Sequence, residues 1–147
     1  MYGDAATKTE GASLVQGNVI VAPIGGDRFG QVLRAALEDR LNPEGRMKDK
    51  PDYTLEVSLS RTLVPSIVRS DGTILRYNVK FETNFALKPN NITAKPFTGS
   101  IRRTSSYNVV PSANFATYEA EDNLNERLLK ELAEDYVLRL SGYLAGK

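Results

Sequence analysis

Over residues 73–87 the chain alternates with period two: Leu75, Tyr77, Val79, Phe81, Thr83, Phe85 and Leu87 take the odd positions, and Arg76, Asn78, Lys80, Glu82 and Asn84 most of the even ones. Alternation sorts side chains onto two sides of an extended backbone, so the stretch predicts one half-buried β-strand. At about 3.3 Å per residue it spans roughly 50 Å, longer than strands usually run, and its end should outrun whatever covers the apolar side.

The preceding segment pairs with it. Tyr53, Leu55, Val57 and Leu59 alternate with Thr54, Glu56, Ser58 and Ser60. Further on, Leu63, Pro65 and Ile67 keep the odd parity while Val64 and Val68 make the other side apolar too. Pro65 lacks a ladder donor, which predicts a distorted upper half. A two-residue Asp71-Gly72 turn would set core-facing Leu59 opposite outward-facing Asn84 and invert the faces. A three-residue loop of Ser70, Asp71 and Gly72, with Gly72 in the left-handed bulge position, sets Leu55, Val57 and Ile67 opposite Leu87, Phe85 and Leu75 and keeps parity on both strands.

Around this hairpin the pattern predicts a buried strand at 18–24, ended by Pro23, and a helix opened by Gly25-Gly26-Asp27. Its stripe is Phe29, Val32, Leu33, Ala36, Leu37 and Leu41, with Arg34, Glu38 and Arg40 opposite, and Asn42-Pro43-Glu44-Gly45 stops it. The segment 88–96 should turn the chain into a fourth strand with Phe97, Ile101, Tyr107 and Val109 on the odd side, ended by Pro111. A long helix follows at about 113–144, with Leu124, Leu128, Leu132, Tyr136, Leu140 and Tyr143 on one broad face, widened by Leu129, Ala133 and Val137. Glu126 with Lys130 and Asp135 with Arg139 have the spacing of helical ion pairs on its wet side. Residues 1–16, small and polar, read as a tether, and 17–147 as one domain. The expected architecture is α+β: a two-layer sandwich of a mostly antiparallel four-stranded sheet with two helices on one face, in the order β-α-β-β-β-α.

Composition narrows the function more than the fold. Nineteen basic and eighteen acidic residues leave a net charge of +1, so any basic site is local. The chain has no cysteine and no histidine, which removes disulfides, thiolate nucleophiles, imidazole bases and the commonest zinc ligands. No apolar run is long enough to span a bilayer as a helix.

Candidate motifs resolve mostly into structure. Gly25, Gly26 and Gly30 precede Gln31-Val32 rather than the Lys-Ser or Lys-Thr of a phosphate loop, and read as a tight turn with close helix packing. Glu119, Glu121, Asp122 and Glu126 suit the positive end of a helix better than a metal or acid-base site, lacking histidine or calcium-loop spacing. Arg102-Arg103-Thr104-Ser105-Ser106 has the look of a kinase target but suits a twisted strand. The element order resembles that of a double-stranded RNA-binding module, yet the last helix opens on acids where such a module needs lysines, so no nucleic acid is expected. No catalytic set converges, and no cofactor or metal is expected.

Pro23-Ile24, Arg28-Phe29-Gly30-Gln31, Leu33-Arg34 and Leu37, the strand with Asp71-Gly72, Ser106-Tyr107-Asn108 and the final Ala133-Glu134-Asp135 to Leu140 helix together resemble the lipopolysaccharide-assembly lipoprotein family, LptE, in its alphaproteobacterial form. The resemblance implies a non-enzymatic outer-membrane lipoprotein facing the periplasm. It would be held by a lipid anchor upstream of Tyr2, bind lipopolysaccharide, and plug the LptD β-barrel. It implies a basic residue at the hairpin tip, matched by Arg69; a second basic position, near the start of the last helix, falls close to uncharged Thr117. Parity adds Arg76 and Lys80, with Arg102 and Arg103 on the fourth strand as further candidates for lipopolysaccharide. Val64, Val68, Asp71 and Gly72 are the candidates for partner contact. An accessory lipoprotein of an ABC-type lipid transporter in the periplasm is the alternative.

Overall fold

Strands and helices follow one another as β1 (Val19–Val21), α1 (Asp27–Leu41), β2 (Tyr53–Val68), β3 (Ile74–Pro89), β4 (Phe97–Asn108) and α2 (Asn114–Ala145) in the computed structural model, which describes residues 18–25, 27–42, 51–90 and 93–145. The expected tether at 1–16 lies outside the described residues. The sheet runs in the order β1-β2-β3-β4, with β1 parallel to β2 and the other pairs antiparallel, so the expected α+β sandwich is correct and its sheet is mixed.

The odd side of β3 is the floor of the core: Val79, Phe81, Thr83, Phe85 and Leu87 are all buried. Both helices cover that side. Phe29 of α1 meets Phe81 edge-on at 5.5 Å between ring centroids, and Tyr136 of α2 meets Phe85 in the same way at 5.2 Å. Leu33, Leu37 and Leu41 of α1 and Leu128, Leu129, Leu132, Ala133 and Leu140 of α2 fill the space between helices and sheet. The helices lie parallel, joined along their flanks by Arg28–Asp122 at 3.0 Å and Arg40–Glu134 at 3.3 Å. Gly30 is where α1 meets the incoming chain: a Cβ there would lie 2.4 Å from the Gly25 carbonyl oxygen and 2.5 Å from that of Ile24. Gly30 thus packs closely, as its position predicts, while a Cβ at Gly25 would meet nothing within 4 Å and Gly26 lies outside the described residues.

The hairpin forms as parity requires. Leu55 faces Leu87, Val57 faces Phe85 and Leu59 faces Thr83. The Arg69 amide bonds the Thr73 carbonyl at 2.8 Å, the Gly72 amide bonds the Arg69 carbonyl at 2.9 Å, and Gly72 has φ of 91°. Register departs from expectation beyond Pro65, where bulges set Ile67 opposite Arg76 and Val68 opposite Ile74, instead of Ile67 opposite Leu75. Odd residues of β2 turn their backbone groups toward β1, as Tyr53 and Leu55 do, so the missing N–H of Pro65 falls on the free edge and costs no bond to β3; the ladder shifts only past it, where Ser66 and then Leu75 are skipped.

Three other expectations shift. β1 pairs for three residues rather than seven, because Ala22 makes the last sheet bond, to the Leu55 carbonyl at 3.0 Å, before Pro23 ends the donors. β3 continues through Lys88 and Pro89, opposite Thr54 and Tyr53, before the chain turns. On α2, Asp135 does not pair with Arg139: it crosses to Arg103 on β4, while the Arg139 guanidinium lies 5.7 Å from the Phe85 ring centroid.

Candidate functional site

The helices stop short of the hairpin's end. Core burial on β3 ends at Val79, and Tyr77 stacks on Tyr107 at 5.7 Å at the limit of the covered region. Burial pushes the Tyr107 hydroxyl up to about 12, with nearby Glu121 adding to the effect. Beyond it every residue of β2 from Thr62 to Val68 is exposed. A long strand pair has outrun its cover, as its length predicts.

On this overhang, apolar side chains lie open to solvent: Val64 is 50% and Val68 54% exposed, and Leu63 and Ile67 are exposed beside them. Val110, Phe115 and Tyr118, on the approach to α2 and its first turns, lie at the same end of the sheet, since Asn108 pairs with Arg76 near the hairpin tip. Of the exposed large hydrophobic residues only Ile20 and Leu138 lie elsewhere among the described residues. Apolar exposure concentrated at one end marks an interaction surface.

The even side of the sheet carries no helix. Its distal part holds a shallow concavity of ≈ 570 Å³ lined by Thr62, Val64, Asn78, Lys80, Thr104 and Ser106 among others. Lys80 sits at its centre, with Thr62 and Thr104 directly opposite on the flanking strands. Arg76 shares the face and donates from Nε to Ser106 Oγ at 3.0 Å. Arg102 is also on this face, opposite Glu82. Arg69 lies at the exposed turn with Asp71, whose carboxyl is held below the usual carboxylate range by the Thr73 N–H it accepts at 2.9 Å.

The cations on the two sides of the sheet differ in their partners, although Arg139 on the helix side lies over Phe85 and has, among the described residues, no carboxylate partner. Among the described residues Arg69, Arg76, Lys80 and Arg102 have no carboxylate within salt-bridge distance. On the helix side Arg28, Arg40, Arg61, Arg103 and Arg127 are all ion-paired. Even on the open face, Lys88 at the opposite end is neutralised by Glu56 at 2.7 Å. The structure therefore places Arg76, Lys80 and Arg102 along one face of the sheet, with Arg69 at the turn, and Arg103 on the other. Arg103 is odd like Ile101 and Tyr107, and it grips Asp135 through Nε at 2.7 Å and Nη2 at 2.9 Å, which raises its own pKa further. Two of the acids singled out on α2 are partners too: Glu121 binds Arg61 at 2.8 Å and Asp122 binds Arg28. They lie past the first turn, since α2 begins at Asn114.

No group of acids, histidines or cysteines suited to a metal occurs among the described residues, and no described helix is long and apolar enough to cross a membrane. The arrangement presents cations and hydroxyls on one face beside uncovered aliphatic and aromatic side chains, which suits an amphiphile with anionic groups.

Comparison with functionally curated proteins gives no significant match. Solved structures share the fold. A candidate lipoprotein from Caulobacter crescentus CB15 superposes with a TM-score of 0.73 at 22% identity, covering 95% of this chain and 99% of that one. The minor lipoprotein from Acinetobacter baumannii gives 0.62 at 15% identity, covering 86% and 92%. The rare lipoprotein B from Shewanella oneidensis gives 0.57 at 17% identity, covering 86% and 94%. The family model described as lipopolysaccharide-assembly, LptE, matches residues 17–140, which is all but the ends of the chain, and the chain belongs to that family.

Proposed function

We propose that this chain is a non-enzymatic lipoprotein of lipopolysaccharide assembly, held at the periplasmic face of the outer membrane by a lipid anchor upstream of Tyr2, with residues 1–16 as the tether between anchor and domain. Its domain binds lipopolysaccharide and serves as plug and assembly partner of the LptD β-barrel. Family membership supports the setting. The observation that carries the binding site is the set of cations without carboxylate partners, Arg69, Arg76, Lys80 and Arg102, beside the uncovered Val64 and Val68. Phosphates meet the guanidinium and ammonium groups, hydroxyls of Thr62, Thr104 and Ser106 complete their hydrogen bonding, and acyl chains or barrel wall meet the aliphatic tip with Asp71 and Gly72.

Arg103 has no part in this site, since Asp135 and Glu131 already hold it on the helix side. Replacing Arg69, Arg76 and Lys80 together by glutamate should weaken binding of purified lipopolysaccharide at least tenfold, about 1.4 kcal/mol, with an unchanged melting curve. Unaltered binding by a folded triple variant would remove the site from the hairpin. Copurification tests the setting: a barrel partner supports it, whereas an inner-membrane transporter supports an accessory role in lipid transport.

A further inference from the structure

The outer edge of β4 is a second surface, argued from its backbone, which shares Arg102, Thr104 and Ser106 with the proposed lipopolysaccharide site but does not depend on that reading. The Val109 amide reaches the Leu75 carbonyl at 2.8 Å, and the Ile101 carbonyl accepts the Thr83 hydroxyl at 2.6 Å, so odd residues of this strand turn their backbone groups toward β3. The alternation of an antiparallel ladder then turns the amides and carbonyls of Thr98, Ser100, Arg102, Thr104, Ser106 and Asn108 outward. Among the described residues, no backbone hydrogen bond reaches them from outside the sheet.

Open edges are normally blunted by prolines, bulges or short length. The free edge of β2 is blunted in this way, by Pro65 and its bulges, but β4 pairs for 12 residues without a proline or a register shift. Alongside its distal half runs a groove of ≈ 440 Å³, with the strand at Ser106 and Asn108 as one wall and Ala116, Ala120, Asn123 and Arg127 of α2 as the other. The two alanines, one helical turn apart, keep that wall low beside the edge.

We propose that this edge receives an extended, acidic segment of another protein as a fifth strand. An edge beside a helix-walled groove is the geometry of β-strand addition, in which main-chain bonds give affinity and alternate side chains give selectivity. Charge selects the partner. β4 carries Arg102 and Arg103 and no carboxylate, and Arg127 stands on the groove wall. A second copy of this chain, paired antiparallel about the middle of β4, would bring arginines against arginines, which destabilises cross-strand pairs. An incoming glutamate or aspartate on the open face instead lies beside Arg102, whose register partner on the other flank, Glu82, makes no ion pair with it. Alternate residues of the same segment point into the groove, where small or β-branched apolar side chains fit against Ala116 and Ala120.

Amide hydrogen exchange tests this with a synthetic peptide of about nine residues, alternating valine and threonine with one central threonine replaced by glutamate, and with its lysine counterpart. The glutamate peptide should slow exchange of the outward amides of β4 at least tenfold, and the lysine peptide should not. Ala120→Glu, at an exposed helix position, should abolish protection with no change in melting temperature, and Thr104→Pro, which removes one outward donor, should abolish it as well. The proposal falls if neither peptide protects the edge, if both protect it equally, if protection is confined to the hairpin tip, or if sedimentation shows the chain already dimeric through β4.

Discussion

Tyr136 donates its hydroxyl to Thr83 Oγ1 at 2.7 Å, and Thr83 in turn donates to the Ile101 carbonyl at 2.6 Å, so one relay of two hydrogen bonds fastens α2 to β3 and β4 in the centre of the core. Both side chains are fully buried. Tyr136→Phe keeps the ring packing and deletes one bond, at a cost of about 1 kcal/mol in urea unfolding at neutral pH.

The same tyrosine should make stability fall in alkali. Burial raises its hydroxyl from 10.0 to about 12, against a smaller lowering by Thr83. The unfolded chain releases this proton near its ordinary value while the native state keeps it, so the contribution is complete below pH of about 10 and is lost as pH rises toward about 12. Urea midpoints should drop less steeply over that window in Tyr136→Phe than in the parent, with Tyr107 supplying a remaining slope. Equal slopes would show that burial does not hold the phenol neutral.

Phe81 is completely buried beneath both helices' side of the sheet, and the Arg61 guanidinium lies over its ring and that of Phe29 while bonded to Glu121. Phe81→Ala should cost roughly 3 to 5 kcal/mol in a denaturant titration. A melting temperature within a degree or so of the parent's would place the core elsewhere.

Two glycines should respond to alanine for different reasons. At Gly72 a Cβ meets nothing within 4 Å, so the cost is that of positive φ alone, about 1 to 2 kcal/mol. At Gly30 it meets backbone oxygens that cannot rotate away, so α1 must shift, and the loss should reach or exceed the roughly 1 to 3 kcal/mol usual for overpacking. Near-neutral Gly30→Ala would mean that α1 does not sit against residues 24 and 25.

Salt separates the two halves of the proposed lipid site. Raising sodium chloride from about 0.05 to about 0.5 M should remove most of what Arg69, Arg76 and Lys80 contribute to lipopolysaccharide binding. Val64→Ser with Val68→Ser should remove most of the salt-resistant remainder, and binding that is insensitive to both would sink the assignment. Phe115→Ser with Tyr118→Ser, at positions already 74% and 65% exposed, should leave stability within about 0.5 kcal/mol while weakening capture of the proposed barrel partner.

Much of this was legible in side-chain parity. The odd set from Val79 to Leu87 defines the floor, and the three-residue loop follows from demanding that Leu59 and Phe85 face the same way. The bulges beyond Pro65 were not legible, because the proline's missing donor falls on the free edge of β2 and parity alone does not say where the two strands skip a residue on the way to the turn. Arg103 shows a different failure: its parity with Ile101 and Tyr107 already placed it among the helices, but grouping it with Arg102 by charge hid that. Phe115 and Tyr118 escaped notice because helical periodicity finds the buried stripe, whereas their exposure depends on the helix beginning past the end of anything that could cover it. The open edge of β4 could be inferred only once strand order was known.

Strand order also bears on how the chain reaches this state. Each strand lies beside its neighbour in sequence, so the β2-β3-β4 meander closes through short connections, and only the parallel pairing of β1 must wait for α1 to cross over. Loop closure of this kind is entropically cheap, which favours early zipping from the Gly72 turn inward. A turn that is also the exposed tip of the finished molecule would then initiate folding while bearing none of the final core, and Gly72→Ala should slow refolding more than it speeds unfolding.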